Sequence, residues 1–374
     1  MSLLKSRFIE LIGNIQNPKY PLVELNEICE FIKDGTHQTP IYTEDRVNGF
    51  KFLSSKDVTS QKINWTNIKY IPKELHEQLY AKLSPKRGDI LLAKNGTTGV
   101  AAVVDSDEIF DIYVSLALLR PKSGVNVSYL CSALNSEDLK RQFNSSLKGI
   151  GVPNLHLREI KKARIIFPPI DIQNKISSIT KQIDKSKFLL QQILEKFELL
   201  KKSRFIEMFG DVINNKKTWP TKRWSDVLNI VNGKNQKKVE CENGIYPICG
   251  SGGKIGKTNE YLTKENSVII GRKGNINNPI LMKTKFWNVD TAFGLEPNNK
   301  EINVEYLYKF CELFDFQRLN KTVTIPSLTK SDLLKIEIPV PPMKLQEEYR
   351  NFLAQVDKSK LIIQKALEDL VGKV

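Results

Sequence analysis

Two stretches of this 374-residue chain carry the same residues in the same order. Pro153, Leu155, Pro168, Pro169, Gln173, Asp184, Lys185, Ser186 and Lys187 return as Pro326, Leu328, Pro341, Pro342, Gln346, Asp357, Lys358, Ser359 and Lys360, every pair at one constant offset. An internal repeat restricts the chain to folds built from related units, so it comes before any other reading. A second echo is displaced: residues 4–10 (LKSRFIE) reappear at 200–207 as LKKSRFIE, with one inserted lysine. The first repeat thus ends in a segment that the second lacks, and the N-terminus holds a spare copy.

Apolar residues in the repeated stretch alternate steps of four and three. They run Ile172, Ile176, Ile179, Ile183, then Ser186, Leu190, Ile193, Phe197 and Leu200, with no proline before Pro220. That spacing predicts a coiled-coil helix. Leu345, Tyr349, Phe352, Val356, Ser359, Ile363, Ala366 and Leu370 repeat it, interruption included. Two such helices, each with one apolar stripe, most simply pack antiparallel; Ser186 and Ser359 either fix their register or are accidents of packing. Each helix follows a Pro-Pro that closes a short strand, at 163–167 and 335–339. The first helix continues to Gly210, a plausible stop, and the spare copy (Leu4, Phe8, Leu11, Ile12) is placed to complete the second.

Between the helices lie segments that mix short apolar alternations with Gly/Asn-rich turns, the pattern of α+β domains with curved sheets. The expected architecture is α+β: two dissimilar globular domains joined by two long antiparallel coiled-coil helices in a pseudo-two-fold, circularly closed arrangement. Its segments are 1–15 (N-terminal helix completing the distal helical region), 16–170, 171–210, 211–343 and 344–374.

The net charge is +15, from 57 Lys+Arg against 42 Asp+Glu. Such an excess suits a polyanion, nucleic acid first; the competing reading is a lysine-rich surface without a partner. Five scattered cysteines without a C-x-x-C indicate neither a disulfide framework nor a zinc site. Lys5, Arg7 and Glu10 interrupt any signal-like run, and no segment reaches the ~18 apolar residues of a membrane span, so a cytoplasmic protein is expected.

Ser251–Thr258 (SGGKIGKT) is a P-loop but for its first residue, yet residues 259–266 are too short and polar for the helix a P-loop must open. The FPPI at 167–170 and VPPM at 340–343 lack the flanking polar and aromatic residues of an amino-methyltransferase motif. His37, His76 and His156 are too dispersed to form a ligand cluster, so no metal site is expected. What remains is a set of basic and amide-bearing turns suited to DNA edges and phosphates. Lys94, Asn95, Thr97 and Thr98 follow one predicted strand, and Arg272, Lys273 and Asn275 follow its counterpart. Lys33, Thr36 and His37, then Lys234, Asn235 and Lys237, with Lys254 and Lys257, are further DNA-binding candidates; solvated hairpin turns are the alternative for all of them.

Taken in order, these features resemble the specificity (S) subunits of type I restriction-modification systems over essentially the whole chain. The resemblance rests on Pro168, Pro169 and Gln173 with Pro341, Pro342 and Gln346; on residues 34–40 (DGTHQTP) and on 88–92 (GDILL) leading to 96–99 (GTTG). In the second half it rests on Tyr246, Pro247, Gly250, Gly252, Gly256, residues 260–262 (EYL) and residues 270–274 (IGRKG).

The resemblance implies two target-recognition domains, each reading one half of a bipartite, asymmetric DNA target. It implies no catalysis on this chain and helices that set spacing and dock methyltransferase subunits, two of them. Gln173, Ile176, Ile183, Leu190, Phe197, Gln346, Phe352, Val356, Ile363 and Leu370 are the candidate partner and spacer residues. Restriction/translocase subunits are further partners, and S-adenosylmethionine, ATP and Mg belong to partner subunits. A helix from Ile172 to Gly210 spans ~58 Å at about 1.5 Å per residue, longer than a DNA turn of ~34 Å. Open alternatives are a specificity subunit of a type IIB-like or methylation-only system, a P-loop NTPase, and a basic DNA-bridging protein indifferent to sequence.

Overall fold

A computed structural model describes residues 3–96, 98–146, 154–320 and 326–371. Pro153 of the repeat and Thr97 of the first candidate turn lie outside the described residues, as does the side chain of Leu4. The chain forms two compact units, Met1–Gln191 with Lys365–Val374, and Gln192–Gln364. Each contains one α+β domain, called here the first and the second.

The heptad stretches form two long helices, Ile170–Phe209 and Met343–Val371. Their first turns are closed onto proline carbonyls, with Gln173 N–H donating to Pro169 O (3.1 Å) and Gln346 N–H to Pro342 O (3.3 Å). Within the second unit the two helices run antiparallel. Lys201 Nζ lies 2.6 Å from Asp357 Oδ1 and Lys360 Nζ 2.6 Å from Glu198 Oε1, while the Tyr349 hydroxyl donates to Lys201 O (3.2 Å). Ser186 and Ser359 are exposed, and the Ser359 hydroxyl donates to Gln355 O of its own helix. The serines therefore do not fix register.

The two domains share one topology although their sequences differ. The first has a four-stranded sheet in the order Ala101–Val103, Ile90–Ala93, Leu116–Pro121, Cys29–Asp34. In the second, Ile280–Met282, Ser267–Gly271, Ala292–Pro297 and Leu228–Asn232 repeat that order. All neighbours are antiparallel. Phe110–Ile112, Phe50–Leu53 and Lys69–Ile71 make a three-stranded sheet, parallel then antiparallel, and Trp287–Asn288, Tyr246–Gly250 and Gly253–Thr258 make its equivalent. A two-stranded ribbon leads into each long helix, Arg164–Ile166 on Leu22–Glu24 and Glu337–Pro339 on Thr221–Arg223. The apolar run Ile90–Ala93 is buried on both faces: Ile90 and Leu92 join the helices, Leu91 and Ala93 a second cluster with Phe110 and Leu118.

One side chain ties each long helix to its domain. Gln173 and Gln346 are 1% and 0% exposed. The Gln173 Oε1 accepts from Asn126 N (3.0 Å) and its Nε2 donates to Pro168 O (2.8 Å). Gln346 repeats both bonds, to Asn303 N (2.9 Å) and Pro341 O (2.9 Å), and adds Glu301 O (3.1 Å). Asn126 and Asn303 cap the next helix, accepting from Tyr129 N and Tyr306 N, and those tyrosines donate to Ile166 O and Pro339 O at the end of the ribbon. The repeated Pro-Pro-x-x-x-Gln is thus half of a buried polar network.

The displaced copy repeats structure as well as sequence. The N-terminal helix Leu3–Ile12 ends at Gly13 (φ 79°), and the first long helix ends at Gly210 (φ 76°). Arg7 pairs with Glu10 (2.6 Å) as Arg204 does with Glu207 (2.8 Å), and Lys19 Nζ reaches Glu10 O (2.5 Å) as Lys217 Nζ reaches Glu207 O (2.6 Å). Phe8, Leu11 and Ile12 pack into the first core beside Tyr129 and Ile176, as Phe205 and Phe209 pack beside Tyr306 and Tyr349 in the second. In the first unit Arg7, Glu10 and Leu11 line one recess together with Ile179, Ile183 and Leu370 near the end of the second long helix.

Candidate nucleic-acid interface

Two turns per domain stand at corresponding ends of the four-stranded sheets. In the first domain the strand Cys29–Asp34 passes through Gly35 so closely that a Cβ there would lie 2.1 Å from Ile112 O. In the second, the equivalent Gly233 would place a Cβ 1.7 Å from Val289 O. Glycine is required at both points by space. The next residues are then fixed by main chain, Thr36 N–H donating to Ile112 O (3.0 Å) and Lys234 N–H to Asn288 O (3.0 Å). Trp287 Nε1 holds the Lys234 carbonyl (2.9 Å). Lys33, His37, Lys234, Asn235 and Lys237 project as exposed side chains, with Thr36 half-buried.

The second turn follows the buried central strand of each sheet. Its backbone is held by the repeated Pro-x-Leu segment: Leu155 N–H donates to Lys94 O (3.0 Å) and Leu328 N–H to Arg272 O (2.9 Å). Asn95 bridges to Asn154 and Lys273 to Ser327. Leu155 and Leu328 are 0% and 1% exposed, which explains why this leucine recurs.

The side chains of these turns differ. Lys94, expected as a free cation, is buried and ion-paired with Asp34, while the exposed His37 lies 3.7 Å from the other oxygen of that carboxylate. Arg272 is half-buried with its guanidinium 5.7 Å from the Phe293 ring centroid, and Lys273 and Asn275 are exposed. Thr98 is half-buried, and the Asn95 Oδ1 is a buried acceptor with no hydrogen-bond partner among the described residues.

Residues 251–258 do not form a P-loop. They are the turn and second strand of an antiparallel hairpin, Gly250 opposite Gly253 and Tyr246 opposite Thr258, with no helix N-terminus to hold phosphate. This removes the nucleotide-hydrolysis alternative and leaves Lys254 and Lys257 exposed along a strand. Among the described residues no His/Cys/Asp/Glu group is arranged to hold a metal ion, and no helix is long and apolar enough to cross a membrane.

Sequence reading missed two exposed aromatic–cation pairs. Lys69 Nζ sits 4.0 Å from the Tyr42 ring centroid and Lys285 Nζ 4.6 Å from Tyr261. Each joins residues distant in sequence, so no local motif marks it. On the long helices, Ile176, Ile183 and Val356 are buried and Leu190, Phe197, Phe352, Ile363 and Leu370 half-buried. Among the described residues of the long helices the most exposed apolar side chains are Phe188, Leu199, Leu361 and Ile362, at 59–67%. Phe188, Leu199, Leu361 and Ile362 lie off the heptad stripe and carried no periodic signal.

The model of the type I restriction modification DNA specificity domain matches this chain twice, at residues 18–199 and 216–371. The chain belongs to this family. It is accordingly a DNA-specificity subunit of the type I restriction-modification class, not an enzyme. Among its relatives, a putative type I restriction enzyme MjaX specificity subunit of Methanocaldococcus jannaschii is 20% identical, over 93% of this chain and 91% of that one. A putative type I specificity subunit of Mycoplasma pneumoniae is 18% identical, over 85% and 81%. Among solved structures, a chain from a study of type I restriction-modification complex assembly and conformational transition aligns with a TM-score of 0.64 at 17% identity, over 95% of both chains. The S subunit from M. genitalium aligns with a TM-score of 0.51, also at 17% identity, over 95% and 94%. At these identities the likeness is one of fold.

Proposed function

We propose that each domain reads one half of a bipartite, asymmetric DNA target and that the long helices set the spacing and dock methyltransferase subunits, two per chain. The observation that carries this reading is that one topology occurs twice with different side chains on its turns. A common frame would approach two half-sites alike and read different bases, the asymmetric counterpart of a DNA-binding homodimer. Lys33, His37, Lys234, Asn235, Lys237, Lys254, Lys257, Lys273 and Asn275 supply exposed donors suited to phosphates and base edges, with the half-buried Thr36 beside them. The exposed Phe188, Leu199, Leu361 and Ile362 supply apolar surface for protein partners on the helices.

In this role the chain works in the cytoplasm beside methyltransferase and restriction/translocase subunits. S-adenosylmethionine, ATP and Mg belong to those partners, as does the chemistry. The test is to co-express the chain with its methyltransferase partner and map methylated adenines across the host genome. A split motif whose halves differ is expected. Methylation without a sequence rule, or binding indifferent to sequence and governed by salt alone, would refute it. Exchanging residues 211–343 for those of another family member should alter one half of the motif; a change in both would disprove the modular reading.

A further inference from the structure

The β-register makes positions in the two domains directly comparable. Asp34, Ala117 and Leu92 are cross-strand partners in the first domain, and Asn232, Phe293 and Ile270 are their equivalents in the second. Lys94 and Arg272 each follow the central strand by the same step, and each has its carbonyl held by the leucine of the repeated segment. A cation therefore stands at one place in both domains, while the residue across the sheet is an acid in one and an amide in the other.

That exchange changes what the cation can do. In the first domain the Lys94 and Asp34 side chains are 5% and 15% exposed and paired, so they add no net charge to the surface. In the second, Asn232 cannot neutralise Arg272, and no acid among the described residues forms an ion pair with it. Phe293, standing where the first domain has Ala117, offers the guanidinium a ring face. The Arg272 backbone is fixed on both sides, its N–H donating to Thr291 O (2.8 Å) and its carbonyl accepting from Leu328. The side chain is thus held in advance of binding, which lowers the ordering cost of a contact. The neighbouring Lys273 is exposed where the first domain has the neutral Asn95.

Within the DNA-reading role proposed above, we infer that Arg272 is a direct phosphate contact of the second domain, whereas Lys94 is an internal strut that positions its turn through Asp34 and adds nothing to the electrostatic component of DNA binding. The two half-sites are then held unequally, the second by charge and the first by shape and neutral groups.

Salt dependence separates the two roles, because each phosphate neutralised contributes about 0.9 to the slope of log K against log salt on duplex DNA. The experiment uses the full chain assembled with its methyltransferase partner and a labelled duplex carrying the methylation-mapped target, titrated across a KCl series. Arg272→Gln should flatten the slope by about 0.9. Asn232→Asp, an exposed substitution that sets a carboxylate where Asp34 stands in the first domain, should flatten it similarly. Asp34→Asn with Lys94→Met, which removes both buried charges together, should leave the slope unchanged. Asp34→Asn with Lys94→Arg, which copies the second domain into the first, should steepen it by about the same step. Unchanged slopes for both Arg272→Gln and Asn232→Asp would overturn the inference, as would a flattened slope for the Asp34/Lys94 neutral pair. If the wild-type complex bound that duplex no better than an unrelated one, the DNA-reading role itself would fall instead.

Discussion

The buried Gln346 offers a quantitative test of how helix and domain are joined. Gln346→Met keeps the length and volume of the side chain and removes all its polar atoms. Three groups then lose a partner, Asn303 N–H and Pro341 O where they are buried and Glu301 O where it is part-buried. At about 1–3 kcal/mol for each buried group left unsatisfied, less about 1 kcal/mol for no longer burying an amide, the net loss is ~4 kcal/mol. With a urea m-value of about 2.5 kcal/mol/M, that lowers the unfolding midpoint by ~1.6 M. Tryptophan fluorescence suits the measurement, because Trp219, Trp224 and Trp287 lie in the second unit and Trp65 alone in the first. Gln173→Met strands two groups, Asn126 N–H and Pro168 O. It should cost ~2–3 kcal/mol, read as faster hydrogen exchange at the Asn126 amide. A Gln346→Met midpoint within ~0.3 M of wild type, or a larger loss at Gln173 than at Gln346, would show that the network does not join helix to domain.

Two further outcomes follow from local geometry. Gly233→Ala should cost more than ~4 kcal/mol and abolish a cooperative melt of the second domain, because its Cβ would lie 1.7 Å from Val289 O; an alanine variant melting near wild type would mean that this approach is looser than described. Glu198, whose carboxyl the Lys360 ammonium holds below the usual range, stabilises the helix pair above its ordinary pKa of 4.5, and that stabilisation is lost as pH falls through the lowered value. With the carboxylate 58% exposed, Glu198→Gln should cost under ~1 kcal/mol at neutral pH. The gap to wild type should close as pH falls below 4.5 and through the lowered value, and a gap that widened on acidification would show that Glu198 is not the group responsible.

The helices were legible in the sequence because their burial is periodic and local, so Ile176, Ile183, Tyr349 and Val356 could be placed by counting. The kinship of the two domains showed in the sequence only at turns that follow corresponding strands, because a shared topology is carried by strand register and close backbone approach, which different side chains satisfy. Gly35 and Gly233 are the traces it left, each followed by a different residue. The fate of Lys94 was hidden for a related reason. Its partner, Asp34, is 60 positions away, and only pairing of both strands with Leu116–Pro121 brings the two together. The Tyr42–Lys69 and Tyr261–Lys285 pairs were invisible on the same ground.

The division between what repeats and what varies follows from which atoms hold each part. The join between domain and helix is made by side chains: Gln173 with Asn126 and Tyr129, Gln346 with Asn303 and Tyr306. Substituting any of them strands a buried group, so those residues must recur in both copies. The turns are held by main chain, as Lys94 and Arg272 show, each donating its N–H and lending its carbonyl to the same neighbours in both domains. Exposed side chains there, such as Lys273 and Asn275, can change at little cost to folding, since surface substitutions away from such anchors stay within about 0.5 kcal/mol; the buried Lys94, paired with Asp34, is the exception. A chain that must keep its frame while changing what it reads is best served by this split. The repeated chemistry sits where the backbone depends on side chains, and the chemistry that differs between the two copies sits where it does not.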